Sequence, residues 1–255
     1  MRAESASQPY RTSSTPRMHR GQFPKRAEHP PPRGWDAGLS GVVQPIGTDD
    51  DSASTVMLEH GAVACTGAEF NETAGAMPAP ETTRFGTPML RRQCAWGGTT
   101  YKFSGQTSAD KGALDTAPAL VRRCVGDAKG RVGHELRERL TGAHVNFYPN
   151  GRAGLGVHQD QQDSGVTDPI FSYTFIGDDV GVPSYRYFNV YTSKTKDVTL
   201  AAIPLVHGDL LVMAGAFQRR LWHCVPPCSR AVFGRQRRIN VTVRAWGGAR
   251  NVRDM

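Results

Sequence analysis

The feature that most constrains the fold is a succession of short alternating segments between residues 143 and 246. Segments 170–176, 185–191 and 238–244 are rich in β-branched and aromatic residues, segment 210–215 is apolar, and glycine or proline lies between the segments. Successive side chains of a strand point to opposite faces, so this alternation is typical of strands that bury at least one face. About eight such segments with turn signals between them predict a mainly β domain, a double-stranded β-helix or jelly roll.

The first part of the chain differs in composition from the rest. Residues 1–80 are rich in Ser, Pro, Gly and Arg and carry few large apolar side chains. Such a composition buries too little apolar surface to order a chain. The sequence therefore predicts a disordered basic arm over residues 1–80 and one folded domain over residues 84–250. Apolar residues at helical spacing within 117–140 predict a few helices that flank the sheets.

The charge balance favours a polyanionic partner. Lys and Arg number 31 against 23 Asp and Glu, a formal net charge of +8. Nucleic acid is the first partner expected from such an excess and an anionic membrane surface the second, while simple solubility is the alternative explanation. The chain has no apolar run of membrane-spanning length, so we expect no membrane insertion.

Cysteine usage indicates the compartment. The 5 cysteines are an odd number and show no paired Cys-x-x-Cys spacing. This argues against a disulfide framework and predicts an intracellular, reducing environment. The expected oligomeric state is a monomer.

A metal site is indicated by His158-x-Asp160. Residues two apart in an extended strand point the same way, so the imidazole and the carboxylate would share one face. The third ligand must come from elsewhere, and His223 is the best candidate. Two histidines and one carboxylate, with open positions opposite, are the ligands of non-haem Fe(II) oxygenases.

Two alternatives compete with this ligand set. His207 is the competing histidine, but it precedes Gly-Asp at a turn and is interpreted as structural. Cys224 and Cys228 lie close to His223 and would instead make part of a zinc site, although a fourth ligand is not obvious.

The last predicted strand carries polar residues on one face, namely Arg238, Asn240, Thr242 and Arg244. Arginine and asparagine do not face an apolar core without partners, so we expect them to line the same cavity as the metal. An arginine in a pocket binds a carboxylate with its planar fork. A dicarboxylate such as 2-oxoglutarate would join the metal to Arg238. The alternative is an exposed edge strand with solvated arginines.

An aromatic and basic segment precedes the helices. Residues 84–104 contain Trp96, Tyr101 and several cationic side chains around Gly97-Gly98. The pattern predicts a hairpin suited to phosphate contact and base stacking. The alternative is an ordinary hairpin whose aromatic side chains cover the core.

Taken in order, these motifs resemble the AlkB-like Fe(II)/2-oxoglutarate dioxygenases, over about residues 84–246. The matching motifs are Trp96-Gly97…Tyr101-x-Phe103-Ser104-Gly105, Asn146-x-Tyr148, His158-x-Asp160, Pro169-Ile170-x-Ser172, Gly208-Asp209-Leu210-Leu211-Val212-Met213, His223-x-Val225-Pro226 and Arg238-x-Asn240-x-Thr242-x-Arg244. Each motif alone is weak, but their common order is specific. The resemblance implies a nucleotide-recognition lid at about 84–105.

The resemblance also implies a role for each site residue. Iron would be held by His158, Asp160 and His223. The far carboxylate of 2-oxoglutarate would be bound by Arg238 with help from Tyr148, and the near carboxylate and the surroundings of Asp160 would be steadied by Asn146, Asn240 and Arg244. The substrate base would meet Tyr101 and Trp96. Gln162 stands where relatives often place an acid that helps to recognise the base, which leaves the base preference open.

The implied activity is oxidative demethylation of N-alkylated bases in DNA or RNA, of the 1-methyladenine and 3-methylcytosine type, as in DNA or RNA repair. It would use Fe(II), 2-oxoglutarate and O2 and yield formaldehyde, succinate and CO2. Two alternatives stay open. One is a 2-oxoglutarate hydroxylase acting on protein or a small molecule, and the other is a non-catalytic jelly roll that binds nucleic acid.

Overall fold

The structure of the protein is a computed structural model. It describes residues 42–45, 54–82, 86, 88–98, 102–103, 106–160, 169–177, 185–228 and 235–245. The strands in these residues are β1 (Val42–Pro45), β2 (Ser54–Glu59), β3 (Arg92–Trp96), β4 (Lys102–Phe103), β5 (Gln106–Thr107), β6 (Ala109–Asp110), β7 (Ala143–Tyr148), β8 (Leu155–His158), β9 (Ile170–Ile176), β10 (Tyr185–Tyr191), β11 (Thr199–Val206), β12 (Asp209–Gly215), β13 (Trp222–Val225) and β14 (Arg238–Val243). The helices are α1 (Gly67–Gly75), α2 (Ala119–Gly130), α3 (His134–Arg139) and α4 (Phe217–Arg220), and a 3-10 turn spans Leu114–Thr116.

The strands form two sheets that face each other. The major sheet has the order β1-β2-β12-β9-β14-β7-β3-β6, and the minor sheet has the order β11-β10-β13-β8. Strands β4 and β5 pair separately. Strand β8 therefore lies at an edge of the minor sheet, beside β13. The expected jelly-roll class, mainly β with a few flanking helices, is confirmed.

Alternation along the strands divides the core into two layers. On β14, Ile239, Val241 and Val243 are all 0% exposed. They pack in the helix-side cluster, which also contains Phe70 of α1 and Leu120 of α2. Arg238 and Asn240, on the opposite face of the same strand, are also buried. A second apolar cluster lies between the two sheets and contains side chains of β9, β10, β12 and β13. Both faces of the major sheet are thus covered, one by helices and one by the minor sheet.

The helices cover the outer face of the major sheet because their apolar residues recur at helical spacing. In α2, Leu120, Val121, Cys124 and Val125 are buried and belong to the helix-side cluster. Burial of each such side chain stabilises the fold by roughly 1.5–3 kcal/mol. No helix in the described part of the chain has the length and apolar character needed to cross a membrane.

The predicted disordered arm over residues 1–80 is wrong for residues 54–80. Strand β2 pairs with β12 inside the major sheet, and its first four residues are buried. Helix α1 follows, with Phe70 only 2% exposed in the helix-side cluster. Pairing with a central strand supplies the stabilisation that local composition lacks. Residues 1–41 and 46–53 of the predicted arm lie outside the described residues.

The predicted hairpin around Gly97-Gly98 is also wrong. Strand β3 pairs with β7 and β6 in the major sheet, whereas β4 pairs with β5. Gly97 directly follows β3 with a φ of 83°, and its position against the backbone of Thr141 leaves no room for a Cβ. Strands β3 and β4 therefore do not form a hairpin with each other. Residues 92–96 of the lid expected at 84–105 are a buried strand.

Candidate active site

The two histidines of the predicted metal site are cross-strand neighbours in the minor sheet. Strand β8 ends at His158, which lies directly opposite His223 of β13 in the antiparallel register. Their ring centroids are 4.2 Å apart, and both residues are buried. Strand pairing thus brings together two imidazoles that are far apart in the chain.

Asp160 completes the group from just beyond the end of β8. One carboxylate oxygen lies 3.6 Å from Nε2 of His158, and the other lies 3.9 Å from Nε2 of His223. The three potential ligand atoms all lie within 4.8 Å of one another. The three residues named from the sequence therefore meet at one point.

The contacts of the two histidines suit metal binding. Nδ1 of His158 donates to the carbonyl oxygen of Gly156 at 2.8 Å, which leaves Nε2 available to a metal. Burial lowers the pKa of His223 to about 3, so its imidazole is neutral, and its ring stacks on Phe188 at a centroid distance of 5.1 Å. Two imidazoles therefore turn ring nitrogens toward a carboxylate, which fits a divalent cation.

Asp160 supplies the negative charge of this group. Burial alone would raise its pKa, but the nearby imidazoles of His158 and His223 and the charge of Arg244 hold the pKa of Asp160 well below its usual range. The carboxylate is thus ionised under ordinary conditions. Its backbone N–H donates to Oε1 of Gln218 at 2.8 Å.

Arg238 occupies the opposite wall of the same pocket, on β14. Its side chain is 1% exposed, and Nη2 donates to Oγ1 of Thr174 at 2.9 Å. Nε and Nη1 have no hydrogen-bond partner among the residues that the structure describes. Burial lowers the pKa of Arg238 to about 10, which leaves the guanidinium charged at neutral pH. A buried charge with two unsatisfied donors fits a bound carboxylate.

The other residues assigned to 2-oxoglutarate line this pocket as well. They are Asn146, Tyr148, Asn240 and Arg244. The ring of Tyr148 lies 5.0 Å from the guanidinium carbon of Arg238, and Asn240 donates to Ser172 Oγ at 2.8 Å. Cross-strand pairing explains the grouping, because β14 and β7 align Arg238 with Tyr148 and Asn240 with Asn146.

Sequence reasoning did not identify some of the residues that line or support the pocket. Arg91, one of the cationic side chains of segment 84–104, lines the pocket and donates to Asn146 Oδ1. His144 also lines it, and burial together with the charges of Arg91 and Arg244 lowers its pKa to about 3. Residue spacing on β7 offered a signal, since His144 shares a face with Asn146.

Arg186 of β10 was also missed. It is 2% exposed, and its Nη2 donates at 2.9 Å to the carbonyl oxygens of Ala153 and Pro226. Arg186 thereby ties the segment before β8 to the segment after β13. Since β8 and β13 carry the two histidines, these hydrogen bonds help to hold the metal site together.

The predicted substrate contacts fare differently. Trp96 is 3% exposed within the helix-side cluster, so its indole packs on the face of β3 that points away from the pocket. The predicted stacking of Trp96 on a base is therefore wrong. Tyr101 and Gln162 lie outside the described residues.

The competing ligands are accounted for elsewhere. Nδ1 of His207 contacts the carbonyl of Ile176 at 2.8 Å and its Nε2 contacts that of Cys65 at 3.0 Å, which confirms a structural role. Cys224 lies on the outward face of β13, with its sulfur 3.8 Å from the Tyr191 hydroxyl. The metal-binding group found in the described residues contains no cysteine, so the zinc alternative has no support.

Among comparisons with known proteins, the family model agrees with this geometry. The model of the 2OG-Fe(II) oxygenase superfamily matches residues 71–244. Among solved structures, the chain is similar to one titled "The structure of OsALKBH1", at 17% identity and a TM-score of 0.47. That match covers 74% of this chain and 97% of the other. No curated protein sequence matches the chain.

Proposed function

This chain belongs to the 2OG-Fe(II) oxygenase superfamily, and on that premise we propose that it oxidatively demethylates N-alkylated bases in DNA or RNA. Enzymes of this superfamily use Fe(II), 2-oxoglutarate and O2, and these are the cofactors of this chain. The substrate class is the further step, and it rests on residues and charge.

One observation carries the oxygenase chemistry. A single pocket has His158, Asp160 and His223 on one wall and the buried guanidinium of Arg238 on the other. The pocket therefore combines a metal-binding group with a guanidinium that has unsatisfied N–H donors. A ligand that fits both binds the metal at one end and presents a carboxylate to the guanidinium at the other. 2-Oxoglutarate has both groups, so its binding would compensate the buried charge of Arg238.

We assign the residue roles accordingly. His158, Asp160 and His223 hold the iron, which when bound supplies O2 activation coupled to oxidative decarboxylation of 2-oxoglutarate. Arg238 binds the far carboxylate through Nε and Nη1, while Thr174 holds Nη2 in place. Leu155, Phe188 and Val225 add apolar lining that limits water in the pocket.

The remaining polar lining has positioning roles. Tyr148 packs against the guanidinium of Arg238. Asn146, Asn240 and Arg244 orient the near carboxylate and the surroundings of Asp160. Asn240 is itself fixed by Ser172 and by the carbonyl of Tyr173, so its carboxamide is rigid.

The nucleic-acid substrate is supported by motif order and by charge. The succession of motifs resembles the AlkB-like dioxygenases, and the formal net charge of +8 suits a phosphate backbone. A base reaches an enclosed pocket only after it leaves the stack, which is easiest in single strands and at damaged pairs. Hydroxylation of the N-methyl group gives a hemiaminal that collapses to formaldehyde and the unmodified base, while 2-oxoglutarate becomes succinate and CO2.

The test is a paired measurement of formaldehyde and succinate. The protein is incubated with Fe(II), 2-oxoglutarate and single-stranded DNA or RNA that carries 1-methyladenine or 3-methylcytosine. We expect equal amounts of the two products from the wild type. Asp160→Ala should reduce both to background, whereas Asp115→Ala, which removes an exposed carboxylate outside the pocket, should not.

Two controls separate the competing functions. Unmethylated oligonucleotides and methylated peptides are run in parallel. Turnover with peptides alone would assign a protein substrate instead. Absence of succinate with every substrate, or equal turnover by Asp160→Ala, would contradict the proposed enzyme.

A further inference from the structure

The metal-binding carboxylate stands outside the strand ladder. Strand β8 ends at His158, and its register with β13 pairs His158 with His223 and Leu155 with Val225. Asp160 follows this ladder, so strand pairing does not fix its backbone. A ligand of this kind needs another anchor, because a metal site tolerates displacements of only a few tenths of an ångström.

The anchor is a buried carboxamide. The backbone N–H of Asp160 donates to Oε1 of Gln218 at 2.8 Å. Gln218 is 6% exposed, and its Nε2 donates to the sulfur of Met213 at 3.3 Å. The amide orientation follows from these partners, since the N–H of Asp160 needs an acceptor and a thioether is a weak acceptor that accommodates an NH2 group.

The same stretch of chain also carries a histidine ligand. Gln218 lies in α4, which connects β12 to β13, and His223 follows in β13. Phe217 of α4 is 1% exposed, and its ring lies 5.7 Å from that of His223. Helix α4 is too short to be stable alone, but Phe217 and Leu221 fix it in the cluster between the sheets. One rigid segment thus positions His223 directly and Asp160 through Gln218.

We propose that Gln218 is a positioning residue for the metal centre. Its carboxamide holds the Asp160 backbone so that the carboxylate stays in reach of both imidazoles. Loss of the carboxamide leaves all three ligands in the chain but removes a hydrogen bond that positions Asp160. The inference rests on the proposed ligand roles of His158, Asp160 and His223.

The experiment measures Mn(II) affinity of the full-length protein, from the electron paramagnetic resonance signal of free Mn(II). Mn(II) stands in for Fe(II) and makes the measurement independent of turnover. Gln218→Met keeps the volume but removes the acceptor, and we expect its affinity to fall about 10–100-fold. Gln218→Glu keeps an oxygen that can accept from Asp160 and should recover most of the affinity.

The matched control is Gln236→Met. Gln236 is 0% exposed and donates to the carbonyl of Tyr185 at 2.9 Å, so the substitution removes a similar bond from a similarly buried glutamine. Its Mn(II) affinity should equal that of the wild type. Thermal unfolding of the metal-free proteins shows whether both methionine variants fold.

Each contrary result has a distinct meaning. Wild-type affinity in Gln218→Met would overturn the inference. Equal losses in the two methionine variants, or no recovery in Gln218→Glu, would overturn it too, because the effect would then come from altered packing. If Asp160→Ala binds Mn(II) as the wild type does, the proposed metal site fails, and the inference fails with it.

Discussion

The two walls of the pocket accommodate buried ionisable side chains in opposite ways. The minor sheet presents His158 and His223, and burial lowers the pKa of His223 to about 3, so that this imidazole is neutral. The major sheet presents the guanidinium of Arg238, which keeps its charge at neutral pH even though burial lowers its pKa to about 10. An imidazole can lose its proton to avoid the cost of a buried charge, whereas a guanidinium retains it and needs an anion.

The contrast explains why this pocket selects a ligand with two different ends. Lone pairs on one wall favour a cation, and unsatisfied N–H donors on the other favour a carboxylate. The wall that carries Arg238 should contribute most of the binding free energy of the co-substrate. The wall that carries His158 and His223 should contribute most of the binding free energy of the metal. The comparison can be tested on the major sheet by three substitutions of decreasing effect.

Arg238→Met has the largest expected effect. It removes a charged pair of hydrogen bonds to the co-substrate, each bond to a charged group being worth about 1.5–3 kcal/mol, so we expect the Kd for 2-oxoglutarate to rise by at least about 100-fold. The free energy of unfolding of the ligand-free protein should rise, because an uncompensated buried charge is lost. Calorimetry and urea unfolding measure the two quantities.

Arg238→Lys serves as the comparison variant, since it keeps the charge but loses the planar fork. Its affinity should lie between those of the wild type and Arg238→Met. Lower stability of Arg238→Met with unchanged affinity would contradict the assignment of this wall to an anion.

His144→Leu tests whether an imidazole on the cationic wall is also held neutral. Burial and the charges of Arg91 and Arg244 lower the pKa of His144 to about 3. The unfolded chain therefore binds a proton below pH 6.5 that the folded chain does not, and stability is lost as pH falls from about 6.5 toward about 3. Between pH 7 and pH 5 this costs the wild type about 2 kcal/mol.

The measurement is the free energy of unfolding at the two pH values, with a chelator present. His144→Leu should lose about 2 kcal/mol less than the wild type over this interval. His134→Leu, at an exposed position in α3, should behave as the wild type does. Parallel pH profiles for all three proteins would show that His144 titrates normally.

Thr174→Val has the smallest expected effect. Thr174 accepts a hydrogen bond from Nη2 of Arg238, so its loss loosens the guanidinium without removing it. One hydrogen bond is worth about 1 kcal/mol, which predicts a rise of about fivefold in the Kd for 2-oxoglutarate. Thr73→Val is the control, because Thr73 is equally buried but lies in α1. A fivefold rise in the Kd for 2-oxoglutarate in both variants would show that the effect does not come from the hydrogen bond to Arg238.

Periodicity predicted much of this site because the relevant strands are strongly patterned. Strands β9 and β10 have the bounds expected from their alternation, and the polar face of β14 points into the pocket. Facing direction follows from residue spacing alone. By contrast, the alignment of His158 with His223 depends on which strands pair, and that information is not local.

Helix α1 shows a local signal that was overlooked. Thr66 accepts from the backbone of Glu69 while the carboxylate of Glu69 accepts from the backbone of Thr66, which is a complete capping box. The spacing is visible in the sequence, but glycines at both ends of the segment obscured it. Gln218 and Arg186 had no such signal, because a buried polar side chain looks like a solvated one until its partners are known.

The position of β8 at the margin of the minor sheet has a consequence for the order in which the molecule loosens. A marginal strand has a neighbour on one side only, so its amides are the first to fray and to exchange with deuterium. An ion held jointly by His158 and His223 would clasp this strand to β13 across the ladder. Metal binding would then slow deuterium uptake in the amides of β8 more than in the central strands. The metal would stabilise the pairing of β8 with β13 in addition to its role in catalysis.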